Sequence, residues 1–472
     1  MKKFLMSDQE APEQMKNRLF LEFAAISGII LLAAALRFYK LGEWSFWVDE
    51  LSMVERARNF STIGLFYKST TLALMNIALT VLGLSEASSR LVPALIGVVS
   101  IPVLYFLIRK IFQPGVALAA MLLLAISPWH VYWSQNARFY TTLLLFCSLS
   151  VFLFYLGIEK DRPSYLLLSM VFLGLAFFER HIALFMAPVV AGYLVLVKIL
   201  PFEKPLGLRL KNVGVLSLPA LAAVPVAAPV FLSMTSGFVE SYTDLARNSP
   251  FWILGGSIYY LGIPILVIGC LGLYYLYIQK QRAFLLLGLG AVVPMVATAV
   301  LSLFTYTANR YVFVSLVFWI LLASIGAVEL IKQTRGATRL LASGILLLLV
   351  VLPMSENAMY YFYQHGNRAN WKAATELVKR RKEAGDQVAS SSRTVAEYYL
   401  SENVTAFNRL DTETVAAGQS TVWFIEDMVG EAYWPKVHRW IVKNANLVEV
   451  FDVQVEARNF KMRVYRYDPA SP

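Results

Sequence analysis

Along most of the protein apolar residues run in long unbroken stretches, and polar residues are confined to short clusters between them. Runs close to the ~20 residues needed to cross a bilayer recur at 19–36, 91–108, 115–131, 139–158, 164–178, 182–199, 212–232, 252–277, 283–304, 311–331 and 337–354. Lipid offers backbone groups no hydrogen-bond partner, so each run is expected to be a helix. Eleven such spans put the two ends of the chain on opposite sides of the membrane. One further segment, TTLALMNIALTVLG at 70–83, is apolar but short, and it reads as a juxtamembrane or re-entrant helix. After Ser355 the texture changes. ANWKAATELVKRRKEAG (369–385) has helical spacing, whereas DQVAS, TVWFIED, LVEVFDVQV and FKMRVYRYD have the alternation and β-branched content of strands. The expected architecture is a polytopic α-helical membrane module over 1–355, with a long first outer loop at 37–90, followed by a small α/β domain over 356–472.

Composition agrees with this division. At 58% apolar and 15% charged residues, with a mean hydropathy of +0.58, this is not a water-soluble globular protein. Segment 356–472 holds 15 Lys and Arg against 15 Asp and Glu, so the formal charge of +11 belongs to the membrane module. There it reports orientation and not a nucleic-acid partner. The basic loops, RK (109–110), EKDR (159–162), KILPFEKPLGLRLK (198–211), QKQR (279–282) and KQTRGATR (332–339), all fall on one side, which is expected to be cytoplasmic. The opposite, extracytoplasmic side of the plasma membrane receives loop 37–90, SQNAR (134–138), FERH (178–181), loop 233–251, TYTANR (305–310) and the terminal domain. The opening MKKFLMSDQEAPEQMKNR lacks the apolar region and cleavage site of a removable signal peptide. Cys147 and Cys270 each lie inside an apolar run, and the four histidines are scattered, so neither a disulfide framework nor a histidine-rich metal cage is expected.

Candidate chemistry gathers at the outer ends of the spans. Asp49 and Glu50 sit in GEWSFWVDEL (42–51), just beyond the first span. Gln135, Asn136 and Arg138 follow the third, Glu179, Arg180 and His181 join the fifth and sixth, and Asn309 and Arg310 precede the tenth. Charge at membrane depth is costly unless it is paired or wetted, which makes such residues functional candidates. Any one alone reads as an interfacial anchor or a local ion pair. The combination of a carboxylate pair facing two arginines suits a reaction that needs a base and a site for a phosphate leaving group. The aromatic residues around them, Trp44, Phe46, Trp47, Tyr67, Trp129, Tyr132, Trp133, Phe139 and Tyr140, need no role beyond interfacial anchoring.

FWVDELS, SEASSRLVPALIGVVSIPVLYFLIRKIF (85–112), SPWHVYWSQNARFYTTLLLF (127–146), NRYVFVSLVFWILLASIGAVEL (309–330) and NWKAATELVKRRKEAGDQV followed by EYYL occur in an order that resembles bacterial members of the GT-C superfamily of polyprenyl-phosphate-dependent glycosyltransferases. That group includes the protein O-mannosyltransferases and the aminoarabinose transferases of lipid A. The resemblance implies transfer of one sugar, with inversion, from a polyprenyl-monophosphate donor to a hydroxyl on the extracytoplasmic face. It makes Asp49 the general base and assigns the leaving phosphate to Arg138 and Arg310. Glu50, Asn136, Glu179 and His181 are then candidates to orient the acceptor or to hold a divalent cation, with Glu50 the cation ligand if one binds. Lys68, Gln135, Tyr140, Asn309 and Tyr311 are candidate substrate contacts.

The sequence also departs from the pattern. SQNAR has Asn136 where relatives often carry an acid, which weakens a metal site. KSTTLAL (68–74) stands where relatives often have a proline-rich stretch, so acceptor binding there is expected to differ. The favoured acceptor is an envelope glycan or glycolipid, with a protein hydroxyl as the alternative. From another class, a transporter or flippase of lipid-linked sugars is the rival. Transporters often carry internal repeats, and no repeat is visible in this sequence.

Overall fold

A computed structural model describes residues 12–218, 248–453 and 460–469, with 221, 224, 225, 228 and 229. Residues 233–247 of the predicted loop 233–251, and residues 219, 220, 222, 223, 226, 227 and 230–232 of the predicted span 212–232, lie outside the described residues. Among the described residues seven helices are long and apolar enough to cross a membrane, or nine if each of two bent pairs is counted as one span.

The first helices are α1 (Pro12–Phe38), α2 (Val48–Arg58), α3 (Thr70–Leu82) and α4 (Glu86–Ile108). Then come α5 (Pro114–Ile126), α6 (Pro128–Ser134), α7 (Tyr140–Lys160), α8 (Pro163–Glu179) and α9 (Met186–Ile199). The membrane part continues with α10 (Pro250–Leu261), α11 (Ile263–Ile278), α12 (Ala283–Leu301), α13 (Leu316–Gln333) and α14 (Gly336–Phe362). Segment 70–83 is a single 13-residue helix, α3, whose N-terminus is capped by the Ser69 hydroxyl accepting from Leu72 N. Helix α7 is the central one, buried along almost its whole length, and the neighbouring η-turn and helix over 309–333 are equally enclosed.

Two predicted spans are not straight. Run 115–131 breaks at Ser127, where α5 and α6 meet at 58°. Pro128 has no N–H to continue α5, and the Ser127 hydroxyl accepts from His130 N, so a new helix starts there. Run 252–277, read from sequence as one span, is two helices bent by 90°. Gly262 at φ 83° supplies the left-handed turn, and a proline in the first turn of α11 starts the next segment. Helix α11 then crosses α13 with backbones nearly touching: a Cβ on Gly272 would fall on Leu322 O, and one on Gly326 on Ile268 O. Small residues permit that approach, as is usual where membrane helices pack closely.

The last apolar helix runs to Phe362 and is followed by the α/β domain. It contains α15 (Trp371–Arg381), α16 (Arg393–Leu400) and a five-stranded sheet. Its strands are β1 (Gln387–Ser390), β2 (Thr405–Ala406), β3 (Val422–Glu426), β4 (Asn446–Phe451) and β5 (Met462–Tyr467). Their order is β2-β1-β3-β5-β4; β1 pairs with β2 and β3 in parallel, and β5 pairs with β3 and β4 antiparallel. Strand β3 is buried at all five positions, which explains why VWFIE is apolar with one acid at its end.

Candidate active site

The segment from Leu41 to Trp47 has no helix or strand of its own, so its polar backbone groups need partners from elsewhere. Arg90, on α4 and fully buried, donates to Leu41 O, Trp44 O and Ser45 O at 3.2, 2.9 and 3.0 Å. The same guanidinium grips Glu50 with both arms, at 2.8 Å to each carboxylate oxygen. Glu50 also accepts from Ala137 N at 2.8 Å and has Arg368 Nη1 at 4.0 Å. Burial alone would raise the Glu50 carboxyl, but the Arg368 and Arg90 guanidiniums and these hydrogen bonds hold it below the usual carboxylate range. Glu50 is thus fully enclosed and engaged, a structural anchor and not a group open to an acceptor or a cation.

Asp49, one residue earlier in the first turn of α2, faces the other way. Its side chain is 32% exposed, and Oδ2 lies 3.5 Å from Arg138 Nη2 and 3.8 Å from Arg310 Nη2. The turn after α6 builds this arrangement residue by residue. Trp47 Nε1 donates to Asn136 Oδ1 at 3.0 Å, Ala137 N donates to Glu50, and Arg138 Nη1 donates to Asp49 O at 2.8 Å. The Nε of Arg138 and the Nε of Arg310 are buried and have no hydrogen-bond partner among the described residues. The Asp49 contacts are longer than the ~2.7–2.9 Å of a tight charge-assisted bond. Both arginines therefore retain donor capacity for an anion. Arg180, at the end of α8, joins them: its guanidinium and that of Arg138 lie 5.6 and 5.0 Å from the same Phe139 ring. Tyr140 packs on Trp133 and Phe139, with centroids 4.0 and 4.5 Å away, and Tyr140 and Tyr311 lie within electrostatic reach of Arg310.

Other sequence candidates are placed differently. Gln135 donates to Leu36 O, Arg37 O and Tyr39 O and accepts from Tyr360 Oη at 3.0 Å, so it ties α1 to α14 and has no atom left for a substrate. Asn136 donates to Tyr132 O at 2.6 Å and accepts from Trp47; it too is buried and used at both ends. Glu179 accepts from Thr71 N at 2.9 Å at the start of α3, while its Oε2 has no partner among the described residues. His181 packs against Phe177, and Lys68 lies over the Phe60 ring at 5.0 Å. Asn309 is buried beside Gly256, where a Cβ would collide with its amide, and its Oδ1 is without a partner among the described residues.

Two of the candidate cation ligands are already engaged. Glu50 and Asn136 are consumed by the contacts above, and no group of three or more His, Cys, Asp or Glu that could hold a metal occurs among the described residues. Sequence reading missed Arg90, Arg368, Glu86, Lys372 and Tyr399. Arg90 and Lys372 lie inside stretches that carry the family resemblance, SEASSRLVP and NWKAATELVKRRKEAG, but nothing local marks their partners.

The comparisons with known proteins agree on the architecture. A family model described as dolichyl-phosphate-mannose-protein mannosyltransferase matches residues 70–232. ArnT from Cupriavidus metallidurans in the apo state superposes with a TM-score of 0.58 at 14% identity, over 96% of this chain and 98% of that one. The same protein bound to undecaprenyl phosphate gives 0.55 at 15%, over 95% and 98%. An Archaeoglobus fulgidus oligosaccharyltransferase tethered to an acceptor peptide gives 0.60 at 11%, over 94% of this chain and 74% of that one. No curated protein sequence matches. The protein has the GT-C fold, an integral membrane helical module with a small C-terminal sheet domain.

Proposed function

We propose that this protein is a glycosyltransferase that moves a single sugar from a polyprenyl-monophosphate donor to an acceptor hydroxyl on the extracytoplasmic face of the plasma membrane. The observation that carries the reading is the half-exposed Asp49 carboxylate held between Arg138 and Arg310, both with unused donors, at the ends of apolar helices. In the proposed step Asp49 takes the proton of the acceptor hydroxyl. The acceptor oxygen forms its bond to the anomeric carbon from the face opposite the phosphate, so the configuration inverts. The bond between anomeric carbon and phosphate oxygen breaks, and its electrons leave on the lipid phosphate, where Arg138 and Arg310 meet the charge. A phosphate between the two guanidiniums also competes for them with Asp49, which releases the carboxylate towards the acceptor.

Support for a lipid-phosphate donor comes from the undecaprenyl phosphate bound in one structural relative of the same fold. The acceptor proposed is an envelope glycan or glycolipid. A protein hydroxyl is the second reading, favoured by the family match to protein mannosyltransferases. The test is binding of undecaprenyl phosphate to the purified protein. Arg310→Ala is expected to weaken it ~10- to 100-fold, the worth of one charge-assisted bond at 1.5–3 kcal/mol, with Asp49→Asn binding as well as or better than wild type. Equal binding by Arg310→Ala, or loss of binding in Asp49→Asn, contradicts the assignment.

A further inference from the structure

The backbone of the segment that leads into α2 is held almost entirely by side chains from two distant places. Its five consecutive carbonyls, Leu41 to Ser45, all accept hydrogen bonds, three from Arg90 and two from Lys372. Lys372, on α15 of the C-terminal domain, donates from Nζ to Gly42 O and Glu43 O at 3.0 Å each, and its backbone N–H donates to Ser45 Oγ at 3.1 Å. The next amide, Phe46 N, donates to Tyr399 Oη at 2.7 Å, and the Tyr399 hydroxyl donates to Glu86 Oε1 at 2.8 Å. Glu86 opens α4 and also pairs with Lys372 at 3.0 Å. Tyr398 meets the Phe46 ring edge-on at 5.3 Å, and Gly366, at φ 62°, lies so close to the Trp44 indole that a Cβ would not fit. Every residue from Gly42 to Phe46 therefore touches a residue that follows α14 in the sequence, and Asp49 comes three residues later.

From this geometry we infer that the C-terminal domain is a clamp on the segment that carries the base, with Tyr399 and Lys372 as positioning residues for Asp49. The inference rests on the proposed role of Asp49. Segment 42–46 has no internal hydrogen-bond ladder to keep its shape, and removing Lys372 or Tyr399 leaves its backbone groups without partners. Arg90, the other of the two side chains and the remaining packing contacts then hold it with fewer hydrogen bonds. The first turn of α2 is free to shift, and a displacement of about 1 Å at a reacting group is enough to cost a large factor in rate.

The test uses the full-length protein with Tyr399→Phe, which removes one hydroxyl and keeps the ring, and Lys372→Met, with Lys372→Arg as the conservative rescue. Amide hydrogen exchange over 42–50 is read separately from transfer, which is expressed per undecaprenyl-phosphate-binding site so that an unfolded fraction does not count. Exchange over 42–50 is expected to quicken about tenfold in Tyr399→Phe and Lys372→Met while strands β1 and β3 keep their protection. Transfer per site is expected to fall about tenfold with donor KM unchanged, and Lys372→Arg is expected to recover most of it. Unchanged exchange over 42–50 overturns the clamp whether or not any transfer is measured. Faster exchange with unchanged transfer per site overturns the positioning role. If wild type binds undecaprenyl phosphate but transfers from no donor, it is the proposed function that fails, and the exchange result still decides the clamp.

Discussion

Two adjacent carboxylates have opposite fates because of what approaches them. Glu50 is sealed by Arg90, Arg368 and Ala137 N, whereas Asp49 is left half-open between two arginines. Their variants should separate cleanly. Glu50→Gln strands a fully buried guanidinium and is expected to cost about 3–5 kcal/mol, read as a large drop in the melting temperature of the detergent-solubilised protein. Asp49→Asn is expected to leave that temperature within the range of ordinary surface substitutions, about 0.5 kcal/mol. A melting temperature that falls equally in both would mean that Asp49 is structural as well. Residue types at Asp49, Arg138 and Arg310 are legible in the sequence because their motifs resemble a known family in order and spacing. The role of Glu50 is not, since Arg90 and Arg368 reach it from 40 and 318 positions away, and no local signal announces either partner. Asn136 and Gln135 misled for the same reason: a polar side chain at a span end looks available until the carbonyls it serves are located.

At the level of elements, the long apolar helices are readable because lipid forces continuous apolar runs, and the longer strands of the terminal domain because they are short runs rich in β-branched and aromatic residues. Bends are less visible, since they change direction without changing hydropathy. The break after α5 carries the Ser127–Pro128 signal of a new helix, and the 90° break before α11 carries Gly262 and the proline that follows it, yet both sit inside runs of span length. Strand β2, at two residues, has no pattern to find. The close crossing of α11 and α13 yields a prediction on this scale. Gly272→Leu places a side chain where Leu322 O and Gly326 N already lie, so the crossing must open. Overpacking of this kind typically costs about 1–3 kcal/mol, and here backbone and not a flexible side chain must yield. The expected result is markedly less folded protein after extraction. Gly174→Leu, which meets nothing within 4 Å, is expected to behave as wild type in the same extraction assay.

On the scale of the whole molecule, the described part of loop 37–90, the three arginines and the C-terminal domain gather at one end. Glu159, Asp161, Arg209, Lys211 and Arg282 pair with one another at the other end. The orientation proposed from the basic loops puts the second end on the cytoplasmic side. With Cys270 replaced, a cysteine at Ser61 should react with a membrane-impermeant thiol reagent added to intact cells, and one at Lys204 should react only after the membrane is opened. The reverse pattern would invert the orientation. The junction between the two parts also has a pH signature. Burial, together with the nearby cations Arg368, Lys372, Arg90 and Lys40, depresses His365 to about 4. The unfolded polypeptide, with histidine near its ordinary value of about 6.5, binds this proton first. Stability is therefore full above about pH 6.5 and declines as pH falls towards 4. His365→Asn, which tolerates the left-handed backbone at φ 45°, should flatten the fall in melting temperature between about pH 6.5 and 4.5. An unchanged slope would remove His365 as its source.

The most direct measurement is transfer of radiolabelled sugar from a panel of polyprenyl-phosphate sugars in membranes that contain wild type or Asp49→Asn at equal levels. Wild type should move label from at least one donor, and Asp49→Asn should lose that transfer by roughly 10²- to 10⁴-fold, the usual contribution of a general base. Equal transfer by the two would contradict Asp49 as the base and with it the central reading of the site.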